Sequence, residues 1–97
     1  MYIGFLIVSP FDRGPSLSRY VKKAIDAVER TGIKHQVTPM GTVLEASSLE
    51  EIFDSAKAAV DAVAGEGAMR ISMSLKVDIR FDKEISMGSK LASLGRS

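Results

Sequence analysis

Met69-Arg70-Ile71-Ser72-Met73-Ser74-Leu75-Lys76-Val77-Asp78-Ile79-Arg80-Phe81 alternates apolar and polar residues without a break. Met69, Ile71, Met73, Leu75, Val77, Ile79 and Phe81 fall on one side, and Arg70, Ser72, Ser74, Lys76, Asp78 and Arg80 on the other. A period of two over that length is a β-strand with one buried face and one charged face. At about 3.3 Å per residue the stretch spans roughly 43 Å, whereas a compact domain of this chain length is only ~32 Å across. Either the strand bends or ends early, or its end leaves the domain and pairs with another chain. We take the second reading, because an overlong edge strand invites a partner.

Upstream, Ile3-Gly4-Phe5-Leu6-Ile7-Val8 is apolar on both faces and stops at Ser9-Pro10, so it reads as a central strand buried from two sides. A turn at Asp12-Arg13-Gly14-Pro15 leads to a helix with Ser16 or Ser18 as N-cap. Its apolar face is Leu17, Tyr20, Val21, Ala24, Ile25 and Val28, and Gly32 closes it. Lys34 to Thr38 reads as a polar edge strand, Pro39-Met40-Gly41 as a turn, and Thr42 to Glu45 as a third strand. Ser48-Leu49-Glu50-Glu51 has capping-box spacing and opens a second helix, with a buried stripe of Leu49, Ile52, Phe53, Ala56, Val60 and Val63. Gly65-Glu66-Gly67 stops it. Ile85, Met87, Gly88, Leu91 and Leu94 place a short helix in the tail.

The order β-α-β-β-α-β plus a terminal helix predicts an α+β fold, a ferredoxin-like sandwich in which two helices cover one face of a four-stranded antiparallel sheet, in a single domain over residues 1–97. The first strand is then central and the last an edge beside it. Because the first strand is apolar on its second face too, something must cover that face. A second subunit is the simplest candidate, and the terminal helix folding back is the alternative.

The bulk numbers exclude several classes. With 13 Lys+Arg against 12 Asp+Glu the chain is nearly neutral, so charge implies neither a nucleic-acid nor a membrane-surface partner. There is no cysteine, which excludes disulfides and thiolate metal sites. The run Ile3–Val8 is too short to span a membrane and lacks the flanks of a signal peptide, so a cytoplasmic location is expected. Catalytic signatures are scarce. His35 is the only imidazole and stands on the polar edge strand; no serine sits in a nucleophile elbow; Gly65-x-Gly67 is not a phosphate loop.

The segment Pro39-Met40-Gly41-Thr42 with Glu45 is less easily explained by folding alone. Two further blocks stand with it: Ser16-x-Ser18-x-Tyr20-Val21, which helix capping also explains, and Arg70-Ile71-x-x-x-Leu75-Lys76-Val77-Asp78-x-Arg80, whose charges a solvated strand face also explains. A weaker fourth is Lys90-Leu91-x-Ser93-Leu94. In these blocks the chain resembles the small ferredoxin-like thiamine-binding proteins, single-domain relatives of two-repeat proteins that bind thiamine or its hydroxymethylpyrimidine moiety. Ile79 is a departure, since members carry an acidic residue there. The resemblance implies a non-catalytic binder of thiamine or its pyrimidine half, a homodimer or homotetramer with no cofactor and no metal.

Thiamine joins an aminopyrimidine to a cationic thiazolium, so its site needs an acceptor for the amine, hydrogen-bonding groups for the ring nitrogens, and apolar or anionic surroundings for the cation. At the motif positions, Glu45 or Asp78 would accept from the amine or face the cation. Ser16, Ser18 and Thr42 would supply hydroxyls, and Tyr20 and Met40 would line the ring, although Tyr20 also falls on the helix stripe and reads equally as core. Lys76 and Arg80 flank Asp78 and belong to the same candidate set. Two other readings stand beside this one. One is an enzyme acting on a small anionic or aromatic substrate at a subunit interface through Lys76, Asp78 and Arg80; the other is an assembly module without a ligand.

Overall fold

The computed structural model describes residues 1–11 and 17–95. Its elements are β1 (Tyr2–Pro10), α1 (Ser18–Arg30), β2 (Lys34–Thr38), β3 (Gly41–Ala46), α2 (Leu49–Gly65), β4 (Ile71–Ile79) and α3 (Met87–Ser93). The strands form one sheet in the order β2-β3-β1-β4, every neighbouring pair antiparallel. This is the expected ferredoxin-like α+β sandwich, with β1 central and β4 at the edge.

Register decides which side chains share a face. Leu6 and Val8 of β1 and Leu44 and Ala46 of β3 meet Tyr20, Ala24 and Val28 of α1, with Ile52, Ala56, Ala59 and Val63 of α2 completing the core. Ile3, Phe5 and Ile7 lie on the opposite, outer face beside Glu45 and Val43 of β3 and Asp78, Lys76 and Ser74 of β4.

Local chemistry fixes the ends of the helices. Gly32 follows α1 with φ +79°, a conformation that favours glycine, and its N–H donates to the Glu29 carbonyl at 3.1 Å. The Ser48 hydroxyl and Glu51 carboxylate form the expected reciprocal capping box at the start of α2. Ser86 and Ser89 make a second such box at α3, a pairing the sequence reading did not identify. At α1 the expectation changes. Leu17 is the N-cap residue and no side chain caps it; Ser18 is already the first helical residue, and Ser16 lies outside the described residues. On α2, Phe53 is exposed, and Ser55 and Ala59 take buried places instead.

Strand β4 corrects the length argument. It holds 9 residues, each paired with a residue of β1 from Tyr2↔Ile79 to Pro10↔Ile71. At about 3.3 Å per residue this is roughly 30 Å, inside the molecule's longest dimension of 41 Å. The strand ends at Ile79, where Arg80 turns to Asp82, although the alternation in sequence runs on: Phe81 is 90% exposed. The outer face also departs from the simplest expectation. The terminal segment folds back over its Ile3 end, burying Ile3 and Ile85, while Phe5 stays half-buried and Ile7 exposed. Among the described residues no helix is long and apolar enough to cross a membrane.

Candidate ligand-binding site

The hairpin joining β2 and β3 is tied by one side chain. Thr38 Oγ1 donates to the Gly41 carbonyl at 2.8 Å and accepts the N–H groups of Met40 and Gly41, both at 3.2 Å. This holds Pro39-Met40 in a tight turn and leaves Met40 76% exposed at the tip. Gly41 is needed for space. A Cβ there would stand 2.7 Å from Phe5 Cζ and 2.9 Å from the Leu6 carbonyl oxygen, so only glycine lets the hairpin lie against β1.

Between this hairpin and α1 lies a cavity of about 150 Å³. Val21, Ala24, Ile25 and Val28 form its helical wall, Pro39 to Thr42 its hairpin wall, and Leu6 to Ser9 its floor. The lining is mostly apolar; buried Thr42 brings a hydroxyl, whereas that of Thr38 is engaged in the turn. An apolar cavity of about 150 Å³ accommodates one benzene-sized ring. The space thus suits a single six-membered heterocycle.

The carboxylates lie elsewhere. Glu45, only 5% exposed, sits on the outer face, where Oε1 accepts the Met87 N–H at 2.7 Å and Oε2 pairs with Lys34 Nζ at 3.1 Å. Burial pushes its carboxyl up, but the Met87 N–H and the Lys34 ammonium outweigh it and hold the group below its usual value. Asp78, across the sheet from Ile3, pairs with Lys90 of α3. That hydrogen bond, against a smaller cost of desolvation and with help from Arg80 and Lys76, also holds it low. Arg80 leaves the sheet and clasps Asp82, its Nε donating to Oδ1 at 2.9 Å. Lys76 lies opposite Phe5 on the outer face. A second cleft, of about 250 Å³, opens beneath α3 among Ile3, Gln36, Val43, Met87 and Leu91.

The eight candidate residues among the described ones therefore do not form one constellation within a protomer. Thr42 and Met40 join at the cavity. Glu45, Lys76 and Asp78 share the outer face, with Arg80 beyond the strand end. Tyr20 is 5% exposed in the core, its hydroxyl accepting from Arg19 Nη2 at 2.7 Å with the guanidinium over the ring; its core reading describes it. Ser18 is exposed on the first turn of α1, and Ser16 lies outside the described residues. His35 donates from Nδ1 to the Ile33 carbonyl at 2.9 Å, a structural bond. Among the described residues no group of three or more His, Cys, Asp or Glu could hold a metal ion.

Two contributions escaped the sequence reading. Lys90 is the partner of Asp78, and only its place in the weak tail block hinted at it. The cavity floor from β1 carried no signal, since an apolar strand reads as core throughout.

Relatives share this architecture. The chain is 37% identical over 79 residues to a UPF0045 protein of Methanothermobacter thermautotrophicus, covering 81% of this chain and 80% of that one. The crystal structure of the hypothetical protein MJ1052 of Methanocaldococcus jannaschii superposes with a TM-score of 0.91 at 36% identity, covering 99% of this chain and 97% of that one. A Bacillus cereus domain of unknown function gives a TM-score of 0.84 at 27% identity, with coverage of 93% and 86%. Residues 5–95 match the family described as thiamine-binding protein, and the chain belongs to that family.

Proposed function

We propose that this protein is a cytoplasmic, non-catalytic binder of thiamine or its hydroxymethylpyrimidine moiety, acting as a homo-oligomer, with the pyrimidine ring seated between α1 and the β2–β3 hairpin. The observation that carries this reading is a coincidence of motif and cavity: Pro39-Met40-Gly41-Thr42, the most specific of the resembling blocks, is one wall of the ring-sized space. Helix α1, which begins at Ser18, is the opposite wall. The volume accepts one ring rather than two, so the thiazolium would project past exposed Met40 toward solvent. Glu45 and Asp78, on the other face of the sheet, cannot meet that cation within the same protomer.

The enzyme reading loses support from two ion pairs. Asp78 is held by Lys90 and Arg80 by Asp82, which commits two of the three residues that reading needs to structural contacts. Support for self-association comes from β4, whose outer edge has no strand beside it among the described residues, and from exposed Ile7 next to half-buried Phe5.

Thermal unfolding with thiamine, its phosphates and hydroxymethylpyrimidine tests the proposal. A ligand present at about a hundred times its Kd stabilises the fold by ~2.7 kcal/mol, a shift of several degrees in Tm. Absence of any shift at millimolar ligand would overturn it.

A further inference from the structure

The cavity floor has an unusual make-up. Leu6, Ile7, Val8 and Ser9 all line it, yet consecutive strand residues point to opposite faces. Four in a row can border one space only if that space meets the strand along its edge, where the main chain is presented.

The ladders say which main-chain groups are there. Pairing of β1 with β4 runs through to Pro10, but pairing with β3 stops at Leu6↔Thr42, where the hairpin turns away. The Leu6 carbonyl oxygen points toward Gly41, so even-numbered residues of β1 direct their N–H and C=O toward β3. The Phe11 N–H donates to Arg70 of the other neighbour at 2.8 Å, which gives the odd-numbered residues to β4. The next even residue after Leu6 is Val8. Its N–H and C=O face the gap left by β3, and no strand of the described residues lies opposite them. Pro10, the even residue after that, has no N–H, so the edge cannot extend as a ladder. Val8 lines the cavity, and main-chain N–H and C=O groups are obligatory hydrogen-bonding groups that take a partner there.

We infer that the Val8 N–H and C=O are the recognition edge of this cavity, and that they select a flat amino-azine, a six-membered ring with an amine beside a ring nitrogen. The ring nitrogen accepts from the Val8 N–H while the amine donates to the Val8 carbonyl, so the ligand completes the interrupted sheet edge in place of β3. Selectivity then resides in main chain and ring shape, with no charged side chain needed at the ring. The inference rests on the proposed placement of a pyrimidine ring in this cavity, and it extends that placement to any small amino-azine without the rest of the vitamin.

The test uses isotope-labelled protein, with amide resonances followed as four compounds are added: an aminopyrimidine carrying only the amine beside its ring nitrogen, unsubstituted pyrimidine, hydroxymethylpyrimidine and thiamine. The aminopyrimidine, hydroxymethylpyrimidine and thiamine are expected to move the Val8 amide. Pyrimidine should need roughly a hundredfold higher concentration, because without the amine the Val8 carbonyl is left unpaired. If thiamine or hydroxymethylpyrimidine binds with the Val8 amide unmoved, or if pyrimidine binds as well as its amino form, this inference is overturned and the proposed function stands. If the aminopyrimidine binds through Val8 while thiamine and hydroxymethylpyrimidine do not bind, the recognition edge stands and the proposed function falls. Binding of none of the four overturns both.

Discussion

Thr42 and Glu45 stand three residues apart on β3 and face opposite sides of the sheet. Thr42 points toward the helices and lines the hairpin cavity. Glu45 points outward to Lys34 and the Met87 N–H. An odd spacing on a strand always divides two side chains in this way. The pair that reads in sequence as one motif thus performs two tasks: Thr42 borders the candidate ligand space, and Glu45 fastens the terminal helix.

Substitution should separate the two tasks. Glu45→Ala leaves the Met87 N–H without its acceptor and is expected to cost about 1–3 kcal/mol, with faster amide exchange across Met87–Ser93. Thr42→Val should weaken ligand binding while exchange in α3 stays unchanged. Calorimetric titration with hydroxymethylpyrimidine, run beside hydrogen exchange on both variants, checks this. Equal loss of binding in the two would contradict a site on the helix side.

Docking of α3 should depend on pH in one direction. Both Glu45 and Asp78 have folded-state pKa values below their usual ones. A depressed carboxylate contributes stability that is present above its unfolded pKa and is lost as pH falls through the folded value. The helix is therefore expected to stay docked at neutral pH and to loosen only in acid, below the ordinary carboxylate range. Resonances of Met87 and Lys90 followed through an acid titration report it; release between neutral pH and that range would refute the latch.

Gly41→Ala should disturb the hairpin selectively. The new methyl would meet the Phe5 ring at 2.7 Å and, less yieldingly, the Leu6 carbonyl oxygen at 2.9 Å. A destabilisation of about 1–3 kcal/mol is expected from such overpacking, together with loss of ligand binding as the hairpin is pushed off β1. Denaturant unfolding and titration of the same variant measure both effects.

Filling the cavity from its helical wall offers a cleaner contrast. Ala24→Leu should abolish the ligand-induced rise in Tm at a stability change of no more than about 1–3 kcal/mol. Ile52→Ala, in the fully buried core and away from the cavity lining, should cost about 2–5 kcal/mol yet retain the rise. If both variants keep the rise, the ligand is bound elsewhere.

Self-association through β4 has its own test. The Arg70 carbonyl accepts from Phe11 of β1, so even residues of β4 face β1 and odd ones face outward. Met73→Pro removes an outward N–H and leaves the ladder to β1 intact. Sedimentation should show an oligomer for the parent chain and a smaller species for the variant.

Most of the architecture was legible in the residues themselves. The alternation through Ile71–Ile79, the capping box at Ser48 and Glu51, the closing Gly32 and the two-faced apolar run of β1 each act within a few residues, where sterics and local hydrogen bonding decide the outcome. Other features depend on what lies across the fold. The ladder of β4 on β1 stops at Ile79, where Arg80 turns to Asp82, so an alternation in sequence could not say where pairing stops. Tyr20 lies on a helix stripe that could have bordered a site, and packing against the sheet made it core. The covering of Ile3 by the tail, the partnership of Lys90 with Asp78, and the gap that leaves the Val8 main chain facing a cavity all arise where segments far apart in sequence meet. Short-range chemistry fixed the elements and their order; long-range register and the turn at Gly41 decided which side chains and main-chain groups share a space, because only three-dimensional packing brings those groups within bonding distance.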